Sequence, residues 1–341
     1  MGPCREHLRS ACVLSSPASV VPGARAVRRL LIGLASIVAV AGGLAACGAP
    51  AEPQTPSEQQ SRCSTARPLP VGDSERTIVT GGRERSYVLH VPPGYRPTER
   101  TPLVLMFHGL GGDPQTVLES TEMGTMADQH NAILAVPLGR GKPSQWRFRS
   151  PISNPRSDVA FVRQLVKQLK KDACVDSSRT YAAGFSNGSA LTLALACDAS
   201  TQFAAYAAVS GPYYEPWCGK APAASIIYFH GTADTTVPYR GANTVIGHLP
   251  PVNDIMAKWA KHDRCPSAGT RTRATSAVRH FSWVGCEDGT SVDIFAVVGG
   301  VHGWPGGGPM SPGRTSRTKN SPVDATALIW KFFARHPAGG Q

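Results

Sequence analysis

A serine framed by glycines, Gly184-Phe185-Ser186-Asn187-Gly188, is the part of this 341-residue chain best suited to covalent chemistry. A serine hydroxyl is a weak nucleophile until a base takes its proton, so it must stand where an imidazole and a substrate both reach it. A sharp strand-to-helix turn provides that position but crowds the residues two before and two after the serine, where glycine has no Cβ to clash. The flanking residues fit: Arg179 to Phe185 is β-like and Ser189 to Cys197 is helix-forming. The backbone N–H of Asn187, at the helix start, then points to where an oxyanion would form.

A pentapeptide of this kind recurs by chance, so its partners decide its meaning. The order expected on a strand–helix architecture is serine, then acid, then histidine. His302 is the favoured base, because it follows an apolar strand and sits in the loop Gly299-Gly300-Val301-His302-Gly303-Trp304-Pro305-Gly306-Gly307-Gly308. His248, His262 and His280 fall in polar or loop segments, and His336 in a terminal helix. Asp234 is the favoured acid, at the end of a strand, a glycine turn and Thr232-Ala233; its carboxylate would hold the imidazole tautomer. The bland alternative is an Asx-turn, and Asp254, Asp263, Asp288 and Asp293 are rivals in poorer contexts. His230 is read as a structural hydrogen-bonding residue. The second oxyanion donor is expected from His108-Gly109-Leu110-Gly111-Gly112, through the N–H of Leu110. A phosphate-binding loop would need a Gly-Lys-Ser/Thr ending, which this segment lacks. Trp304 and Trp146 are candidates for a substrate wall, with ordinary packing as the alternative.

The elements that must position these residues follow from patterning. Arg85 to Val91 alternates like a strand, and Leu103 to Phe107 and Ala132 to Val136 are short apolar runs suited to strands buried on both faces. Ser157-Asp158 opens a helix with Val159, Val162, Leu165, Val166 and Leu169 on one face and Lys167, Lys170 and Lys171 toward its end. Further strands are expected at Phe203 to Val209, Ser225 to Phe229 and Val292 to Val298, with helices at Val252 to His262 and Val323 to His336. Strands alternating with helices predict an α/β fold: a mostly parallel sheet covered on both faces. Sites in such sheets lie at the C-terminal strand ends, where Ser186, Asp234 and His302 all fall.

Residues 1–46 read as an export signal, with Arg25, Arg28 and Arg29 before an uncharged stretch from Leu30 to Ala46. It ends Leu44-Ala45-Ala46-Cys47, similar to a bacterial lipobox, which implies acylation of Cys47 and a membrane anchor on an exported protein. Residues 47–62 are a Pro-, Gln- and Ser-rich tether, and residues 63–341 suffice for one catalytic domain. Loss of residues 1–46 removes five Arg and one Glu and lowers the formal charge from +12 to +8. No basic stripe interleaved with aromatics points to nucleic acid. Six cysteines remain after Cys47: Cys63, Cys174, Cys197, Cys218, Cys265 and Cys286. An even number in an exported chain implies disulfides, and six cysteines allow 15 pairings. Loop placement favours Cys197–Cys218 and Cys265–Cys286, leaving Cys63–Cys174. No Cys-x-x-Cys pair supports a zinc site.

Taken together, His108-Gly109-x-x-Gly112, Cys174-Val175-Asp176, Gly184 to Gly188, His230 to Asp234 and His302 to Gly306 resemble the polyhydroxybutyrate depolymerase and feruloyl esterase-like group of α/β-hydrolases, and within it secreted lipoproteins of mycobacterial type. The resemblance spans about Ser86 to Trp330. It implies an extracellular serine carboxylesterase with the triad Ser186, Asp234 and His302, a Cys197–Cys218 disulfide, no metal and no cofactor. Ser189 departs from the pattern, since many relatives have a second glycine there. The expected partner is an ester, small or polymeric, and the chain is expected to act as a monomer. An envelope acyltransferase using the same triad, or a surface binding protein on a hydrolase scaffold, are the competing functions.

Overall fold

A computed structural model of the chain describes residues 63, 68–148, 157–198, 200–211, 218, 221–244, 247–266, 269–272, 275–310, 318 and 320–339. The expected leader, Cys47 and the tether lie outside the described residues.

The central element is β3 (Thr101–Phe107), in which every residue is buried. Successive side chains of a strand point to opposite faces, and the two halves of the core follow that rule. Leu103, Leu105 and Phe107 join one apolar cluster, while Val104 and Met106 join the other. Around β3 the described residues form a ten-stranded sheet. Its middle is parallel: β4 (Ile133–Pro137), β3, β5 (Val175–Phe185), β6 (Ala205–Val209), β7 (Ser225–Gly231) and β12 (Val292–Val297), in that spatial order. Antiparallel strands finish both sides. The hairpin of β1 (Gly72–Thr80) and β2 (Arg83–Val91) pairs with β4, and β11 (Val278–Trp283) with β10 (Thr270–Thr272) pairs with β12. A separate two-stranded ribbon joins β8 (Ala242–Thr244) to β9 (Gly247–Leu249).

Helices cover both faces, as parallel strands require of their crossovers. The first face packs against α3 (Asp158–Asp172), α4 (Asn187–Asp198) and α5 (Val252–His262); the second against α1 (Pro114–Thr121), α2 (Met123–Gln129) and α6 (Ala325–Arg335). Ser157 caps α3 by accepting from the Ala160 N–H, and Lys170 and Lys171 occupy its last turn. Val159, Phe161, Val162, Leu165, Val166 and Leu169 of α3 are buried, each contributing about 1.5–3 kcal/mol of transfer free energy. The expected α/β architecture is what the structure shows. The disulfides are Cys63–Cys174, Cys197–Cys218 and Cys265–Cys286.

A buried ion pair lies beside the site: Arg85 donates to Asp158 at 2.8 Å, with its guanidinium 3.9 Å over the Phe161 ring. A second buried carboxyl is conditional on pH. Asp263, at the end of α5, contacts His262 Nδ1 at 2.6 Å and accepts from the Ala224 N–H at 3.3 Å. Burial outweighs those partners and pushes its pKa from 3.8 up to about 6. A carboxyl bound more tightly to its proton in the folded state adds stability below its unfolded pKa and loses it as pH rises through the folded value. Asp263→Asn is therefore expected to gain in unfolding free energy relative to wild type as pH rises from 4 to 7, by up to roughly 2–3 kcal/mol. A difference between the two that stays constant with pH would contradict this account of Asp263.

Candidate active site

The nucleophile turn joins β5 to α4. Ser186 adopts φ +52°, a left-handed conformation that non-glycine residues seldom hold and that recurs at functional sites. The two glycines explain how the chain turns so tightly. A Cβ on Gly184 would run into the Gly188 carbonyl, and one on Gly188 into the Phe107 carbonyl at the end of β3. The Ser186 N–H donates to the Val209 carbonyl of β6 at 2.8 Å, which ties the turn to the neighbouring strand.

Asp234 lies three residues beyond β7, and His302 lies in the loop after β12, the adjacent strand. Those two loops are bonded together: Ala233 N–H donates to Gly300 O at 2.9 Å, Thr232 N–H to Val297 O at 2.9 Å, and Gly299 N–H to Thr232 Oγ1 at 2.9 Å. The Ser210 hydroxyl, at the end of β6, donates to Gly303 O at 3.1 Å and anchors the histidine loop from the nucleophile's side. Across this frame His302 Nε2 stands 3.0 Å from Ser186 Oγ, and His302 Nδ1 stands 2.7 Å from Asp234 Oδ2. The Phe185 ring supports the imidazole at a centroid distance of 5.0 Å. With Nδ1–H donated to a carboxylate, the free lone pair is on Nε2 and faces the serine hydroxyl.

Asp234 is both an Asx-turn and the partner of His302, because its oxygens divide the work. Oδ1 accepts from the Thr236 and Val237 N–H groups at 2.8 Å each. Oδ2 faces His302 and, at 3.2 Å, His230 Nε2. Burial alone would raise the carboxyl, but the hydrogen bonds and charges of His230 and His302 outweigh it and hold it well below the usual carboxylate range. His230 is fully buried and also reaches Val237 O at 2.7 Å; its contact with the acid had no signal in the sequence beyond the four-residue spacing. The rival residues are engaged elsewhere: Asp263 with His262, Asp293 with His280, His336 with Ser291, and His248 with Asn243.

The two expected oxyanion donors are the backbone N–H groups of Asn187, next to the serine in sequence, and of Leu110. Asn187 is the first residue of α4, so its N–H has no intrahelical acceptor. Leu110 follows β3 and is 57% exposed. Among the described residues no backbone carbonyl accepts from either N–H. Gly109 sits so close to the nucleophile that a Cβ there would lie 3.3 Å from Ser186 Cβ.

The substrate wall expected of Trp146 and Trp304 is corrected by burial. Trp304 is 0% exposed and donates its Nε1–H to Thr326 Oγ1 at 2.9 Å, packing against α6. Trp146 is 2% exposed and donates its Nε1–H to the His108 carbonyl at 2.8 Å. An indole in a protein core needs a partner for its N–H, and both find one inside the fold, with no face left for a substrate. Among the described residues no group of three or more His, Cys, Asp or Glu side chains gathers to hold a metal ion, and none of the helices is long and apolar enough to cross a membrane.

The known proteins that this chain resembles are named as esterases. The family model described as esterase PHB depolymerase matches residues 85–238. "Putative esterase NocK" of Nocardia uniformis subsp. tsuyamanensis is 31% identical over 266 residues, covering 70% of this chain and 76% of that protein. A "Probable feruloyl esterase C" of Aspergillus flavus is 29% identical over 270 residues, covering 75% and 87%. Among solved structures, acetyl xylan esterase from Aspergillus awamori superposes with a TM-score of 0.53 at 17% identity, covering 67% of this chain and 94% of its own. Esterase 2 of Thermogutta terrifontis reaches 0.51 at 16% identity, covering 77% and 94%. These two structures share the fold, and the sequence relatives carry the family: the chain belongs to the esterase PHB depolymerase family of α/β-hydrolase-fold serine esterases.

Proposed function

We propose that the protein hydrolyses carboxylic esters through an acyl-enzyme on Ser186, outside the cytoplasm. The observation that carries this reading is the unbroken line from Ser186 Oγ through His302 to Asp234, at 3.0 and 2.7 Å. Ser186 Oγ attacks the ester carbonyl as His302 Nε2 takes its proton, and the carbonyl electron pair moves to oxygen, facing the N–H groups of Leu110 and Asn187. Collapse of the tetrahedral species expels the alcohol, which receives the proton from His302. Water then repeats the cycle on the acyl-enzyme and frees the acid. Asp234 stays ionised throughout and offsets the imidazolium charge. The mechanism calls for no metal or cofactor.

The relatives named as feruloyl and acetylxylan esterases favour an acyl group carried on a polysaccharide as the substrate class. Three disulfides support an exported protein, and the Leu44–Cys47 sequence supports tethering through a lipid on Cys47. The test is initial-rate turnover of acetyl, butyryl and feruloyl esters and hydroxybutyrate oligomers by the exported chain. Turnover of feruloyl or acetyl esters of sugars above the hydroxybutyrate oligomers is expected. Preference for the oligomers would reverse the substrate assignment, and no ester turnover at all would overturn the function.

A further inference from the structure

The Asn187 side chain does something its backbone role does not require. Its carboxamide faces the peptide of Trp146: Oδ1 accepts from the Trp146 N–H at 2.6 Å, and Nδ2 donates to the Trp146 carbonyl at 3.3 Å. One amide thus reads both polar groups of one residue, as a neighbouring β-strand would. Such a two-point contact fixes orientation as well as distance, and no carboxylate, hydroxyl or apolar side chain of similar size reproduces it.

Trp146 belongs to the loop that follows β4, two strands away from β5. The same loop holds the other oxyanion segment, after β3, by four further bonds. Gly111 N–H donates to Ser144 O at 2.8 Å, Ser144 Oγ donates to Gly112 O, Trp146 Nε1–H donates to His108 O at 2.8 Å, and Gly139 N–H donates to His108 Nε2 at 2.8 Å. His108 Nδ1–H donates in turn to Gly109 O at 2.6 Å, which sets the neutral tautomer that Gly139 needs; burial lowers the pKa of this ring and favours that form. Just beyond Trp146, the Arg147 N–H donates to Asp158, the partner of Arg85.

The two N–H groups that must meet one oxygen therefore come from separate strands and share a common strut. We propose that the Asn187 carboxamide and the Trp146 peptide form a brace that holds the Leu110 and Asn187 N–H groups in register, making the Asn187 side chain a positioning residue for the reaction. This rests on the esterase reading of Ser186. Oxyanion stabilisation depends on donors being in place before charge develops, so a loosened strut costs transition-state binding and leaves ground-state binding in place.

The experiment uses Asn187→Ala, which keeps the backbone donor and removes the brace. Loss of a whole oxyanion donor costs about 10²- to 10³-fold in kcat, so its misplacement is expected to cost roughly 10- to 100-fold, with KM changed less than about threefold. Affinity for a trifluoromethyl ketone, which forms the same tetrahedral oxyanion on Ser186, should fall by the same factor as kcat. Trp146→Phe, which keeps the peptide but loses the bond to His108 O, should cost a smaller factor, and the double variant should lose less than the product of the two. Wild-type kcat and ketone affinity in Asn187→Ala, or a loss confined to KM or to melting temperature, overturns the brace. Ser186→Ala separates the two levels: if it retains turnover, the reading of the site fails, whereas if it is inactive while Asn187→Ala matches wild type, the brace alone fails.

Discussion

Ser186→Ala is expected to lower kcat for ester hydrolysis by roughly 10⁵- to 10⁶-fold, since the members of a triad act as a unit and none compensates for a missing nucleophile. What remains is the smaller acceleration that water receives from the oxyanion donors and from binding. The fold should survive the change. Ser186 Oγ contacts His302 Nε2, and alanine can hold φ +52° at about the cost serine already bears. A melting temperature within a few degrees of wild type, with turnover of p-nitrophenyl acetate at background, is the expected pair of results. Turnover within tenfold of wild type would mean that another residue makes the first bond.

Asp234→Asn is the second large effect, expected to lower kcat by roughly 10⁴-fold through a wrong tautomer. Asparagine can keep its Oδ1 toward the Thr236 and Val237 N–H groups, where Asp234 Oδ1 now sits. Its amide NH₂ then faces His302 Nδ1, so the ring must present a lone pair there and carry its proton on Nε2, where it cannot accept from Ser186. The NH₂ also meets His230 Nε2, which now lies 3.2 Å from Oδ2. The variant should lose stability as well, and with a defined sign. A carboxyl held below its usual range in the folded state adds stability above its unfolded pKa and loses it as pH falls through the folded value. The gap in melting temperature between wild type and Asp234→Asn should therefore be full at pH 7 and narrow as pH falls below 4. Equal kcat, or a gap that widens in acid, would contradict the role given to Asp234.

The site was legible in the sequence to the extent that its chemistry is spelled by local motifs. The pentapeptide around Ser186, the turn at Asp234 and the glycine loop at His302 each follow a readable apolar strand, and adjacency of strand ends in a parallel sheet does the rest. β3, β4, β7 and β12 were readable because each is mostly buried and carries a run of apolar residues with few polar interruptions. β1 was not: half-buried and exposed residues alternate along a polar edge strand, Gly72 to Thr80, with Val79 exposed. The short helices α1 and α2 carry few buried apolar residues, Val117, Met123 and Ala127, too few for a periodic signal. Trp146 and Trp304 misled because proximity in sequence to a site says nothing about which way an indole points. Both rings turn inward to satisfy their N–H groups. The reach of Ser210 to Gly303 depends on strands brought together by the sheet, which no local pattern encodes.

Mass analysis after reaction with a fluorophosphonate ester tests the central claim most directly, since such a reagent phosphonylates only a serine made nucleophilic by its surroundings. One adduct per chain is expected, mapping to the peptide that contains Ser186, forming far more slowly in Asp234→Asn and not forming in Ser186→Ala. An active enzyme that takes up no reagent, or takes it up at another residue while Ser186 stays unmodified, would contradict the account.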